Sequence, residues 1–280
     1  MVKRETDSTR IGRKRPRLSE SETRARALST AVEALMDTGL SVGLDRINME
    51  DVIREAGVSR TAVYRLWPQK DQFIGDLILE LAETAIPGTN TRGEEATELI
   101  SGFLLPHLDE LAEPASRWSL VSEMVGAAVS VDFEHTASLS TQWRTYFALV
   151  VTIMNLPDDE LRVEAQRTLD AAESRYRQRL AENYRVVSEL LGFRLADPER
   201  VGYDEVADLM IAIVRGFVLQ TRTLDSREDQ NALLRIGVDA LLTRSFEIDP
   251  EVMWDRAHVE RLRAVLSPPT NLFPPADSAD

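Results

Sequence analysis

The stretch from Asn48 to Trp67 constrains the fold more than any other, because it spells two short helices joined by a turn that few residues can make. Asn48 can cap the free amides at a helix start, with Asp51 at the third helical position, and Val52, Ile53 and Ala56 then share one face. Gly57 ends that helix, since glycine tolerates the left-handed conformation a sharp turn demands. After one turn residue, Val58, Ser59 can cap a second helix that carries Val63, Leu66 and Trp67 inward, and Pro68 closes it by disfavouring a helical residue before itself. This is the spacing of a helix-turn-helix, in which Val58 plugs the angle while Ala56 and Ala62 allow close approach. Arg60, Thr61, Tyr64 and Arg65 are left pointing outward, a set able to bond base edges and phosphates. A solvated helix face bearing Arg and Tyr is equally common, so the spacing alone leaves both readings open.

The rest of the chain extends the same pattern. Ser19 and Glu22 have capping-box spacing, and Leu28, Val32, Leu35 and Met36 recur on one face until Gly39. A fourth helix is expected from Lys70 to Ile86, with Phe73, Leu77, Ile78 and Leu81 as its apolar stripe and Pro87-Gly88 as its stop. Further helices are expected at residues 94–111, 114–131, 139–155 and 158–191, the last opening on Pro157 in its first turn and three acids. Two more, at 204–224 and 227–246, are joined by so short a connection that they should pack as an antiparallel pair, and a weak helix at 250–266 precedes a Pro-rich tail read as disordered. Strand-like alternation is nearly absent, so the expected class is all-α: an N-terminal three-helix helix-turn-helix domain followed by a larger helical domain. The boundaries read as a basic arm at 1–18, the helix-turn-helix domain at 19–72, a larger helical domain at 73–246, and a C-terminal helix and tail at 247–280.

A formal charge of −14 is the wrong sign for a nucleic-acid binder until it is divided along the chain. Residues 1–72 hold 14 Lys/Arg and 11 Asp/Glu, net +3, whereas the other 208 residues carry net −17. Only the N-terminal end could attract a polyanion, with the acidic body orienting it, although a charge asymmetry without function reads the same way. The absence of cysteine removes disulfides, thiolate metal sites and cysteine nucleophiles. No hydrolase, metalloprotease, phosphate-loop or dinucleotide fingerprint occurs, and His107, His135 and His258 lack ligand spacing, so no enzyme, cofactor or metal is expected. The longest apolar run, Ala148 to Leu156, is too short to span a bilayer, and with no signal-like N-terminus the expected location is the cytoplasm.

The run from Ile47 to Phe73 resembles the DNA-binding signature of the tetracycline-repressor (TetR) family: Ala-Gly-Val-Ser at 56–59, Tyr64, an aromatic at Trp67, and Lys70 followed by an acid fall in the family's order. The resemblance covers about Ser21 to Leu81. It departs from the pattern at Ile53, where a small residue is common, which bears on helix packing, and at Leu66-Trp67, which bears on base preference. It implies that Ser59, Arg60, Thr61, Tyr64 and Arg65 lie on a recognition helix, that Tyr64 and Lys70 hold phosphates, and that Asn48 matches the family's capping Thr. Arg10, Arg13, Lys14, Arg15 and Arg17 form a basic arm placed to reach the adjacent minor groove or phosphates.

The resemblance further implies a small-molecule effector and a homodimer on double-stranded operator DNA, with the protein released from a palindromic operator as a repressor. Trp118, Glu123, Met124, Trp143 and Phe147 are candidate effector contacts, with Met154 and Arg144 as further ones; aromatic and Met residues at helical spacing more often simply pack. Leu209, Ile213, Phe217, Leu241 and Leu242, on the last two apolar helices, are candidate dimer contacts, against burial within one chain. The alternative is a helical binding protein of the same fold acting through a protein partner.

Overall fold

The computed structural model describes residues 18–38, 47–86, 93–138, 140–220 and 227–267, and among these it holds eleven α-helices and one two-stranded sheet. The helices are α1 (Glu20–Thr38), α2 (Met49–Ala56), α3 (Arg60–Leu66), α4 (Lys70–Thr84), α5 (Gly93–Leu104), α6 (Pro114–Ser138), α7 (Ser140–Met154), α8 (Asp159–Leu190), α9 (Tyr203–Gln220), α10 (Arg227–Ser245) and α11 (Arg256–Leu266). The all-α reading therefore holds, with one addition. Strand β1 (Phe193–Leu195) pairs antiparallel with β2 (Phe246–Ile248), Phe193 opposite Ile248, and ties the end of α8 to the end of α10. The basic arm, Gly39, Pro87-Gly88 and the tail beyond Ser267 lie outside the described residues, as does the His135 side chain.

Local chemistry explains most helix ends. Ser19 and Glu22 make the expected capping box, the Ser19 amide donating to Glu22 Oε2 at 2.7 Å and the Glu22 amide to Ser19 Oγ at 3.2 Å. The long α8 is about 48 Å at 1.5 Å per residue. Its cap is Asp158, whose Oδ1 accepts from the Glu160 and Leu161 amides at 2.9 and 3.1 Å, so Pro157 stands before the cap and not in the first turn. The helix expected to run from 94 to 111 stops at Leu104, and 3-10 turns follow at Leu105–His107 and Glu110–Ala112. Pro106 has no amide to donate and its ring crowds the preceding turn. The last helix begins at Arg256 and not at 250, because Asp255 caps it by accepting from the His258 amide at 2.8 Å.

Three apolar clusters fill the interior. The first joins α1–α4 to α7 and the start of α8 through Leu28, Phe73, Leu77, Leu81, Trp143, Leu149 and Leu169, so the N-terminal helices share their core with the larger part of the chain. Helix α4 runs unbroken through the expected boundary at 72–73. The second cluster lies among α5, α6, α11 and the sheet, and the third among α6, α9 and α10. α9 and α10 pack on each other, with Ile213 against Gly237, as expected for the antiparallel pair.

Arg117 on α6 fixes the C-terminal segment. Its buried guanidinium donates from Nε to the Leu111 carbonyl at 2.7 Å and lies 3.8 Å over the Trp254 ring, and burial pulls its pKa down to about 10, which leaves it cationic at neutral pH.

Candidate nucleic-acid interface and effector cavity

α2 and α3 cross as the spacing requires. Gly57 has φ of 62°, in the left-handed region where a side chain is strained, and its amide closes the helix on the Arg54 and Ile53 carbonyls. Val58, Val63 and Trp67 are buried beneath the turn, and Ile53, at the departure from the family pattern, is buried with them. The Asn48 side chain caps α2 by accepting from the Glu50 amide at 3.0 Å, while Asp51 takes no part in a reciprocal box and pairs with Arg54 at 2.7 Å. Ser59 does not cap α3 with its side chain; its carbonyl accepts the first helical bond from Val63.

With one face of α3 buried, the other is left to solvent: Ser59, Arg60, Thr61, Tyr64 and Arg65 are all exposed, as are Asn48 and Lys70 at the starts of the neighbouring helices. Tyr64 is 39% exposed. Two acids already hold this face. Glu50 Oε1 accepts from the Tyr64 hydroxyl at 2.9 Å and pairs with Arg60 at 2.9 Å, and Glu20 pairs with Arg65 at 3.5 Å. The Arg60 guanidinium lies 5.6 Å over the Tyr64 ring. Sequence reasoning missed Glu50, which reads there as an ordinary first-turn acid.

The orientation of α3 is set from behind. The Trp67 indole donates from Nε1 to Asp76 Oδ2 at 2.5 Å, and Arg24 pairs with the other oxygen of Asp76 at 3.0 Å, which locks α1, the end of α3 and α4 together. The Trp67 edge meets Phe73 at 5.1 Å between centroids and 83° between planes.

Residues 28–77 match the family model described as bacterial regulatory proteins, tetR family, a segment that holds the whole of α2, the turn and α3. The chain carries a TetR-family DNA-binding domain. No curated protein matches the sequence at a significant level. The TetR signature belongs to DNA-binding transcriptional regulators, which agrees with the face on α3, and among the described residues no helix is long and apolar enough to cross a membrane.

Past that domain the expected effector residues do not gather in one place. Trp118 lines an apolar cavity of about 80 Å³ with Val121, Val125, Met210, Leu242 and Phe246. Glu123, one turn further along α6, faces an open groove between α6 and α10, and Met124 is buried in the second core cluster. Trp143 and Phe147 belong to the first cluster instead, stacked with Tyr146 beside the N-terminal helices. Met154 is 68% exposed, and Arg144 is exposed beside Thr141.

The expected dimer residues divide similarly. Leu209 is exposed, but Leu241 is buried within the chain, Leu242 lines the cavity, and Ile213 and Phe217 are half-buried against the third cluster. The large exposed apolar residues described on α9 and α10 are Leu209, Leu219, Leu233 and Ile236, with Gly216 opening a gap between the first two. Helical period picks out the apolar positions of α9 and α10 but does not separate those that pack within the chain, such as Leu241, from those left exposed, such as Leu209.

A polar path joins these helices to the N-terminal domain. Arg215 of α9 reaches Glu173 of α8 at 3.2 Å, and Glu173 accepts from the Tyr146 hydroxyl of α7. The neighbouring Thr145 donates to the Leu35 carbonyl of α1 at 3.3 Å. Burial, and then the Glu173 carboxylate, push the Tyr146 phenol well above its ordinary pKa, so it stays protonated and donating.

Proposed function

We propose that the chain is a homodimeric transcriptional repressor that grips a palindromic operator with α3 of each subunit and lets go when a small effector binds. The carrying observation is the division of α3 into a buried face of Val63, with Trp67 following it, and an exposed face of Arg60, Thr61, Tyr64 and Arg65. Arg60 and Arg65 supply bidentate donors for guanine or phosphate, Ser59 and Thr61 supply hydroxyls, and Tyr64 and Lys70 stand where phosphates pass. Asn48 fixes the start of α2, and Arg13 and Arg15 extend the contact toward the minor groove. Two copies meet through Leu209, Leu219, Leu233 and Ile236, which otherwise face water.

Release follows from connection. α4 leaves the reader directly and packs along α8, with Leu161 against Gly75 and Arg175 paired to Glu83, while α8 packs on α9 of the dimer face. An effector that favours a dimer with more widely spaced readers shifts the population off DNA, and operator binding must weaken effector binding by the same factor. Footprinting on DNA flanking the gene tests the reading. Two protected half-sites about 34–36 Å apart on one face of the duplex are expected. A single protected patch, or none along that DNA, rejects the symmetric repressor.

A further inference from the structure

We propose that the effector is a neutral amphiphile, with its hydrocarbon part in the cavity between α6, α8, α9 and α10 and an uncharged hydroxyl-type head at the seam between α6 and α10. This rests on the effector-release reading above and adds the chemistry of the ligand. The cavity wall is apolar almost throughout, and among the described residues no charged side chain lines it. Its two serine hydroxyls are already engaged: Ser188 donates to the Arg185 carbonyl and lies 2.9 Å from the Tyr203 hydroxyl, and Ser122 donates to Asp239 across the seam. A charged group placed inside would lose its hydration and find no counter-ion, whereas an alkyl group loses nothing.

The seam chooses the head. Trp118 and Ser122 belong both to the cavity wall and to the open groove on the outer side, so they form the partition between the two. Beyond it the groove presents Glu123, Asp239 and Arg235, a net charge of one negative. Arg235 packs so closely on α6 that its Nε lies 3.0 Å from where a Cβ on Gly126 would stand. A group arriving at the partition thus meets an acceptor in Asp239 and a donor in Arg235 along the same groove. A hydroxyl satisfies both, by donating to one and accepting from the other. A carboxylate is repelled by Asp239 and Glu123, whereas an ammonium can pair with those acids and is opposed by the like charge of Arg235 and by the hydration it gives up at the apolar partition.

Size points the same way. At about 80 Å³ the cavity has roughly half the volume of an apolar cavity that takes benzene, so it holds a short alkyl end while the remainder of the molecule threads the seam. Threading separates the Ser122–Asp239 bond and moves α10, which also carries Leu233 and Ile236 of the dimer face.

The test compares 1-octanol, octanoate and octylamine by calorimetry and tryptophan emission on the full-length protein. Saturable octanol binding is expected, at least tenfold tighter than either charged analogue, with an emission change that disappears in Trp118→Phe. Two separate cavity-filling variants, Met210→Trp and Val125→Phe, are each expected to lose octanol binding, with circular dichroism reporting whether the helices remain. Octanoate or octylamine binding as tightly as octanol overturns the ligand class. Absent octanol binding, or binding untouched in a filled variant that keeps its helices, overturns the site. Octanol that fills the cavity yet leaves affinity for operator DNA unchanged upholds the ligand chemistry and rejects the effector-release reading.

Discussion

Replacing Trp67 by Phe should loosen the reading helix in a way that can be measured without knowing the operator. Trp67 is 2% exposed, and its indole nitrogen donates to Asp76 at 2.5 Å while the ring edge packs on Phe73. Phenylalanine keeps the apolar contact but removes the donor and part of the ring. A hydrogen bond to a charged group contributes about 1.5–3 kcal/mol. The unfilled space adds roughly 1 kcal/mol. Arg24 still pairs with Asp76 at 3.0 Å, so the carboxylate is not stranded and the total should fall near the lower end. The expected loss is about 2–3 kcal/mol, or roughly 5–10 °C in Tm for a chain of this size. Urea and thermal denaturation followed by circular dichroism would measure it. Adding Arg24→Ala strips Asp76 of both partners, and the double variant should lose more than the two single losses together, by about 0.5 kcal/mol or more. A Trp67→Phe loss under about 0.5 kcal/mol, typical of ordinary surface substitutions, would refute the lock.

Glu50→Gln should tighten DNA binding about three- to tenfold while changing folding stability little, because DNA must displace the carboxylate from Arg60 and Tyr64, and such exposed pairs are each worth roughly 0.2–1 kcal/mol; anisotropy with and without the substitution checks it. Leu209→Glu combined with Ile236→Glu should give a monomer in analytical ultracentrifugation with helix content intact, and a persisting dimer would move the interface elsewhere. His258 stacks 4.5 Å from Trp254, and its pKa is lowered below the ordinary 6.5 by burial first, then by Arg261 and Arg117, against the opposing pull of Asp255 and a hydrogen bond with the Leu190 backbone. The unfolded chain therefore takes up a proton at higher pH than the folded one, so stability present above pH 6.5 is lost as the pH falls through that value toward the folded pKa. His258→Phe should flatten that part of the stability profile, and an unchanged slope would show that other groups set it.

The N-terminal domain was legible in the sequence because its signals are local. Gly57, Val58 and Pro68 act on their immediate neighbours, and the period of Val52, Ile53 and Val63 decides which face is buried. What lay beyond reach depends on how helices meet. Glu50 grips Tyr64 across fourteen residues only because the turn folds α2 onto α3, and Trp67 finds Asp76 only once α4 is in place. The same holds for the candidate effector residues. Trp118 and Trp143 look alike on apolar helices, yet one borders the cavity and the other packs in the core that α7 shares with α1 and α4, since period identifies an inward face and not the neighbour it meets. The β1–β2 pair escaped because three residues are too few for alternation to register, and Phe193 and Phe246 read equally well as helix ends.

The most direct test of the central claim is fluorescence anisotropy of the full-length protein on DNA flanking its own gene, over a salt series and against scrambled DNA. Selective binding is expected, weakening steeply with salt as phosphate counter-ions are displaced and falling further in Tyr64→Phe and Lys70→Ala. Binding equal on the scrambled DNA, or indifferent to salt and to both substitutions, would contradict a DNA-reading role for α3.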